Sequence, residues 1–169
     1  MNPIPTSLLV VEDDPVFSRF IGQLVQSLAG ELPCRVCRVE NAEAAEAELR
    51  RGRFDLALVD YHLPGISGLD LLGKIRSLPP AQQPAVIMLT GSGNEAVAVE
   101  AMKRGARNYL KKEAVDEPSL MRALQSALAQ KRLADQVANY NSQMKADLEM
   151  AHKLQESLLP QSYPCFPPT

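Results

Sequence analysis

Along the first two thirds of the chain, short apolar runs alternate with segments whose apolar residues recur at helical spacing. Residues 8–11 are a continuous apolar run of the kind a buried strand shows, and Pro15 follows in a position suited to the first turn of a helix. From there Phe17, Ile21, Leu24, Val25 and Leu28 recur at helical spacing until Gly30 supplies a stop signal. Residues 35–39 predict a second strand, and Asn41 stands where the Ala- and Glu-rich helix AEAAEAELRRG needs its cap. A third strand is expected over 54–60, then the loop HLPGISG and a helix around 69–76. SLPPAQQP reads as a proline-rich loop. A fourth strand over 85–89, a helix over 95–104 closed by Gly105, and a short fifth strand over 108–110 complete a (βα)5 pattern. Alternation at this spacing implies a five-stranded parallel sheet with helices on both faces.

The last third follows another rule. From about Pro118 to Leu159 there is no glycine and no strand pattern, so one extended helix is expected. Leu120, Leu124 and Leu128 can pack one face of it on the sheet. Farther on, Leu133, Val137, Tyr140 and Met144 fall at spacings of four, three and four, and the next apolar residue is Leu148 rather than position 147, so the heptad slips there. A narrow apolar seam on a long helix suits pairing with a second copy of itself. The expectation is a coiled coil, against a solvated helix or one folded back. After Leu159 the chain becomes PQSYPCFPPT, which cannot continue a helix. The organisation read from this is a domain over 1–130, a helical linker over 131–159, and the proline-rich opening of something further over 160–169.

Composition narrows the partners. A hydrophobic fraction of 46%, a charged fraction of 22% and a net charge of −2 over 169 residues fit a globular protein. The basic residues form no long run, so nucleic acid is not an expected partner. No apolar stretch approaches the roughly 20 residues that span a bilayer. The N-terminus lacks the basic segment of a signal peptide, and the reading is a cytoplasmic protein with no membrane partner. Cys34 and Cys37 form a C-x-x-C, but on a strand positions three apart face opposite sides, so they read as structural.

Five residues carry the candidate chemistry. Glu12, Asp13, Asp60, Thr90 and Lys112 each stand at or just beyond the end of an expected strand. In a parallel sheet those ends share one edge, the edge where open α/β sheets bind ligands. Three carboxylates there would repel unless a cation joined them. Mg²⁺ takes oxygen ligands and is usually held by one or two carboxylates plus a substrate phosphate. With it, Asp60 could attack a phosphoryl group, while Lys112 and Thr90 steadied the phosphoryl oxygens and the His62 carbonyl completed the metal shell. Acidic residues at strand ends also serve as helix caps, and Asp14 is assigned that role. No P-loop, dinucleotide fingerprint or nucleophilic Ser or Cys constellation is present in the sequence.

The segments LLVVEDDP, ALVDYHLPGISGLDLL, VIMLTG and GARNYLKK, in that order and at those intervals, resemble the receiver domain of two-component response regulators over about residues 6–130. The resemblance implies a doubly wound sheet of order 2-1-3-4-5, Asp60 as phosphoacceptor, and Glu12, Asp13, Asp60 and the His62 carbonyl around Mg²⁺. It further implies Thr90 and Tyr109 as switch residues, and a sensor histidine kinase or phosphotransfer protein as donor. It selects Lys112 over Lys111, because the family lysine lies three residues after the switch aromatic. One departure is that Glu113 stands where the family usually has proline, which puts the shape of the loop after the fifth strand in question.

The tail DLEMAHKLQESLLPQSYP, residues 147–164, is similar to the segment leading into PP2C-like serine/threonine phosphatase domains of bacterial stress and sporulation regulators. That resemblance implies a regulatory receiver that switches a phosphatase through the helix, as a homodimer, with an anti-sigma-factor antagonist or another sigma-factor pathway protein as a possible partner. The chain itself would then catalyse nothing beyond its own phosphorylation and dephosphorylation. The alternative reading is a binding or adaptor module with no catalytic output.

Overall fold

The computed structural model of the protein describes residues 4–91 and 94–159. Ser92, Gly93 and the expected proline-rich opening at 160–169, Cys165 included, lie outside the described residues. The chain divides into two units, Met1–Arg132 and Leu133–Thr169. The first unit carries the sheet. Strands β1 (Thr6–Val11), β2 (Cys34–Val39), β3 (Leu56–Asp60), β4 (Ala85–Thr90) and β5 (Asn108–Lys111) pair in the order β2-β1-β3-β4-β5. Every pair is parallel. Between them run helices α1 (Pro15–Ser27), α2 (Ala42–Arg51), α3 (Gly68–Arg76) and α4 (Glu95–Lys103), and α5 (Glu117–Leu158) follows the last strand. This is the expected (βα)5 fold with its extended C-terminal helix.

Period-two alternation sends the strand residues into two cores. Leu8, Val10, Leu56, Leu58, Ile87 and Leu89 meet Ile21 and Val25 of α1 and Leu120, Leu124 and Leu128 of α5. Leu9, Val11, Ala57, Val59, Val86 and Met88 meet α2, α3 and α4 on the other side. Because both faces are covered, the central strands β3 and β4 are apolar almost throughout and buried along their whole length. Cys34 packs against the first core and Cys37 against the second, both as free thiols.

Boundaries moved where polar side chains intervene. The third strand begins at Leu56 rather than 54; just before it, Asp55 Oδ2 accepts from the Ser7 N–H at 2.8 Å and the Asp55 N–H donates to the Ser7 carbonyl at 2.9 Å. Helix α1 stops at Ser27 and tightens into a 3₁₀ turn over Leu28–Gly30. Gly105 behaves as read, with φ +103 just after α4. Asp14 caps α1 by accepting from the Val16 N–H at 2.9 Å, and Asn41 caps α2 by accepting from the Ala44 N–H at 2.8 Å. Asp116 and Ser119 cap each other's N–H groups at the start of α5.

Within the second unit the described residues are helical to Leu158. Leu133, Val137, Tyr140, Met144 and Leu148 are 63%, 53%, 64%, 48% and 66% exposed, so the seam is left open among the described residues. No helix among the described residues is long and apolar enough to cross a membrane.

Candidate functional site

The parallel strands end together, and the residues that close them converge. Glu12 follows β1 and is pinned at the sheet edge by its N–H, which donates to the Val39 carbonyl at 3.0 Å. Asp60 ends β3. The Tyr61 N–H donates to the Leu89 carbonyl at 2.9 Å, and the Tyr61 carbonyl accepts from the Gly68 N–H at 2.8 Å. The start of α3 thus sits directly on the Asp60 backbone. A side chain at Gly68 would collide with the Asp60 carbonyl, which is why a residue without Cβ opens that helix.

Lys112, in the 3₁₀ turn after β5, reaches across the edge. Its ammonium lies 2.8 Å from Asp60 Oδ2 and 2.7 Å from Glu12 Oε2. Asp60 Oδ1 accepts from the His62 N–H at 3.3 Å, and Glu12 Oε1 accepts from the Asp14 N–H at 3.0 Å. Glu12 Oε2 is buried and takes part in no hydrogen bond of acceptable angle; its contact with Lys112 is an ion pair only. The centroid of the Phe17 ring, from the first turn of α1, lies 4.8 Å from the Lys112 ammonium.

Electrostatics follow from depth. Burial pushes the Glu12 carboxyl up to about 7, with the Asp60 charge adding to it against the lowering pull of Lys112 and the Asp14 N–H. For Lys112, burial favours the neutral amine, but the Asp60 and Glu12 carboxylates outweigh it and hold the ammonium above the ordinary lysine range. Carboxylate oxygens of Glu12, Asp13 and Asp60 all lie within 4.8 Å of one another, with Asp13 exposed. An all-oxygen donor set, open on one side and containing an under-satisfied buried oxygen, fits a hard divalent cation that keeps several waters.

The structure therefore brings Glu12, Asp13, Asp60 and Lys112 together. Thr90 is buried at the end of β4, beside β3, and among the described residues no hydrogen bond joins its hydroxyl to the cluster. Tyr109 stands apart on β5, 40% exposed. The His62 ring packs edge-on against Tyr61 at 4.7 Å, leaving only its backbone near Asp60. Phe17 was read from sequence only as one residue of an apolar helix face. Its place four residues beyond Asp13, on the inward side of a helix that starts at the sheet edge, is the signal that could have located it.

A profile of the response regulator receiver domain matches residues 8–125. The nitrate/nitrite response regulator protein NarL of Escherichia coli (strain K12) is 30% identical over 133 residues, covering 76% of this chain and 57% of that protein. The cyclic di-GMP phosphodiesterase response regulator RpfG of Xanthomonas campestris pv. campestris (strain 8004) is 30% identical over 125 residues, covering 73% of this chain and 32% of that protein. Among solved structures, a response regulator receiver domain protein from Clostridium thermocellum aligns with a TM-score of 0.68 and 28% identity, covering 76% of this chain and 98% of that one. The match spans little more than half the length of the first of these relatives and about a third of the second.

Proposed function

The chain belongs to the response regulator receiver domain family, and from that premise we propose that Asp60 accepts a phosphoryl group from a sensor histidine kinase or a phosphotransfer protein. Receiver domains interact with such donors, and they usually bind Mg²⁺ at an acidic pocket. The observation that carries the reading is the cluster itself: Lys112 paired at once with Asp60 and Glu12, with Asp13 alongside. In the transfer, an Asp60 oxygen forms a bond to phosphorus as the bond from phosphorus to the donor's imidazole nitrogen breaks, its electron pair returning to the ring. Glu12, Asp13, Asp60 and the His62 carbonyl would hold Mg²⁺, which when bound neutralises charge on the phosphoryl oxygens. Lys112 supplies fixed positive charge to one phosphoryl oxygen and Thr90 a hydroxyl donor to another. Reorientation of Thr90 draws Tyr109 inward from its exposed position, which alters the surface formed by α4, β5 and α5.

The test is phosphoryl uptake from acetyl phosphate with Mg²⁺, read by intact mass. The parent chain is expected to gain one phosphoryl group and Asp60→Asn none, with the fold unchanged; uptake by the variant would overturn the assignment.

The output reading rests on the tail. The segment 147–164, similar to the lead-in to PP2C-like phosphatase domains, supports a longer protein in which the receiver controls a serine/threonine phosphatase acting in a sigma-factor pathway. The exposed seam of α5 supports a homodimer through that helix. The residues flanking the seam between Leu133 and Met144, Gln136, Asn141 and Gln143, carry no charge, so two copies would meet there without like-charge repulsion. An intact mass of the natural polypeptide too small for a catalytic domain would leave the adaptor reading in its place.

A further inference from the structure

Among the described residues, two carboxylates and one aromatic ring lie against the Lys112 ammonium. Glu12 Oε2 lies 2.7 Å away, Asp60 Oδ2 2.8 Å, and the centroid of the Phe17 ring 4.8 Å. Cations are drawn to the face of an aromatic ring within about 6 Å, and more strongly where water is excluded. Here the Lys112 side chain is only 23% exposed. Phe17 itself is fixed, half-buried against the first core and tilted on Phe20 with ring centroids 5.9 Å apart.

Both carboxylates change when the site works: an Asp60 oxygen becomes bonded to phosphorus, and Glu12 faces a divalent cation. The ring, unlike the two carboxylates, has no charge or bond to change. We propose that Phe17 is a positioning residue, whose face holds the Lys112 ammonium over the sheet edge while its two anionic partners are otherwise engaged. This rests on the assignment of Asp60 and Lys112 above. The ring also explains why an aromatic suits a position that any apolar residue could fill as core. Leucine would fill the space but offers the ammonium no negative face.

Two measurements test it, one of them without phosphoryl transfer. Phosphoryl uptake from acetyl phosphate with Mg²⁺, followed by intact mass, is expected to slow about 3- to 10-fold in Phe17→Leu and to stay within about 2-fold of the parent in Phe17→Tyr, which keeps the ring face. Phe20→Leu removes the same ring–ring contact without touching Lys112 and is expected to react at the parental rate. In metal-free thermal unfolding, Phe17→Leu is expected to lower the melting temperature more in the parent than in a Lys112→Met background, the non-additivity that marks a direct contact. Equal losses in both backgrounds, or a parental rate for Phe17→Leu, would overturn the role of Phe17 and leave Asp60 and Lys112 untouched. A parent chain that takes up no phosphoryl group would overturn the site assignment itself, and this inference with it.

Discussion

At the scale of single residues, Glu12 shows how position outweighs type. In water a glutamate ionises near 4.5, but burial at the end of β1 moves this one to about 7. The folded chain therefore holds the Glu12 proton more tightly than the unfolded chain does. The stability linked to this group is complete below about 4.5 and lost as pH rises toward and through about 7. The carboxylates held low in the structure act on the acid side of that window: Asp70 and Asp116 below their ordinary value of 3.8, and Glu100, bonded to Arg104, below its ordinary value of 4.5. The melting temperature of the metal-free chain should thus fall between those limits, and Glu12→Gln should flatten the fall. An identical slope in the variant would place its origin elsewhere. Lys112 does not contribute there, because its raised value confines its titration to alkaline pH.

At the scale of elements, α5 has two characters in one helix. Its first turns bury Leu120, Met121, Ala123, Leu124, Ala127 and Leu128, while residues from Leu133 onward leave their apolar side chains exposed. Leu124 is fully buried against the β1, β3 and β4 face. Leu124→Ala should cost about 2–5 kcal/mol in denaturant unfolding, the usual range for removing a buried leucine side chain. Leu148→Ala, by contrast, should leave the stability of the receiver unit unchanged, since that residue is 66% exposed among the described residues. The (i, i+3/i+4) spacing was visible in sequence for both halves of the helix. Which half has a partner within the chain was not, because that depends on how much of the sheet remains uncovered.

At the scale of the whole molecule, the prediction concerns association. On the proposed pairing through α5, the full chain should be a dimer in sedimentation or light scattering, and truncation after Gln130, which removes the apolar seam, should leave a monomer. A dimer that survived would assign the contact to the receiver unit instead. Heptad self-pairing favours this outcome as far as Met144. In the proposed pairing, the slip to Leu148, a spacing of four directly after another four, would locally unwind the supercoil.

The strand and helix pattern, the gathering of Glu12, Asp13, Asp60 and Lys112 at one edge, and the opposite facing of Cys34 and Cys37 were legible from the chain alone. They follow from period-two alternation, cap and stop chemistry, and the shared direction of parallel strands, all of which are local or imposed by connectivity. Strand β3 starting two residues late, the depth that lifts Glu12, the outward stance of Tyr109 and the Phe17 ring beneath Lys112 were decided by tertiary structure. Each depends on the separation of groups distant in sequence, or on how much water two packed elements exclude. Neither quantity has a value until the helices close over the sheet.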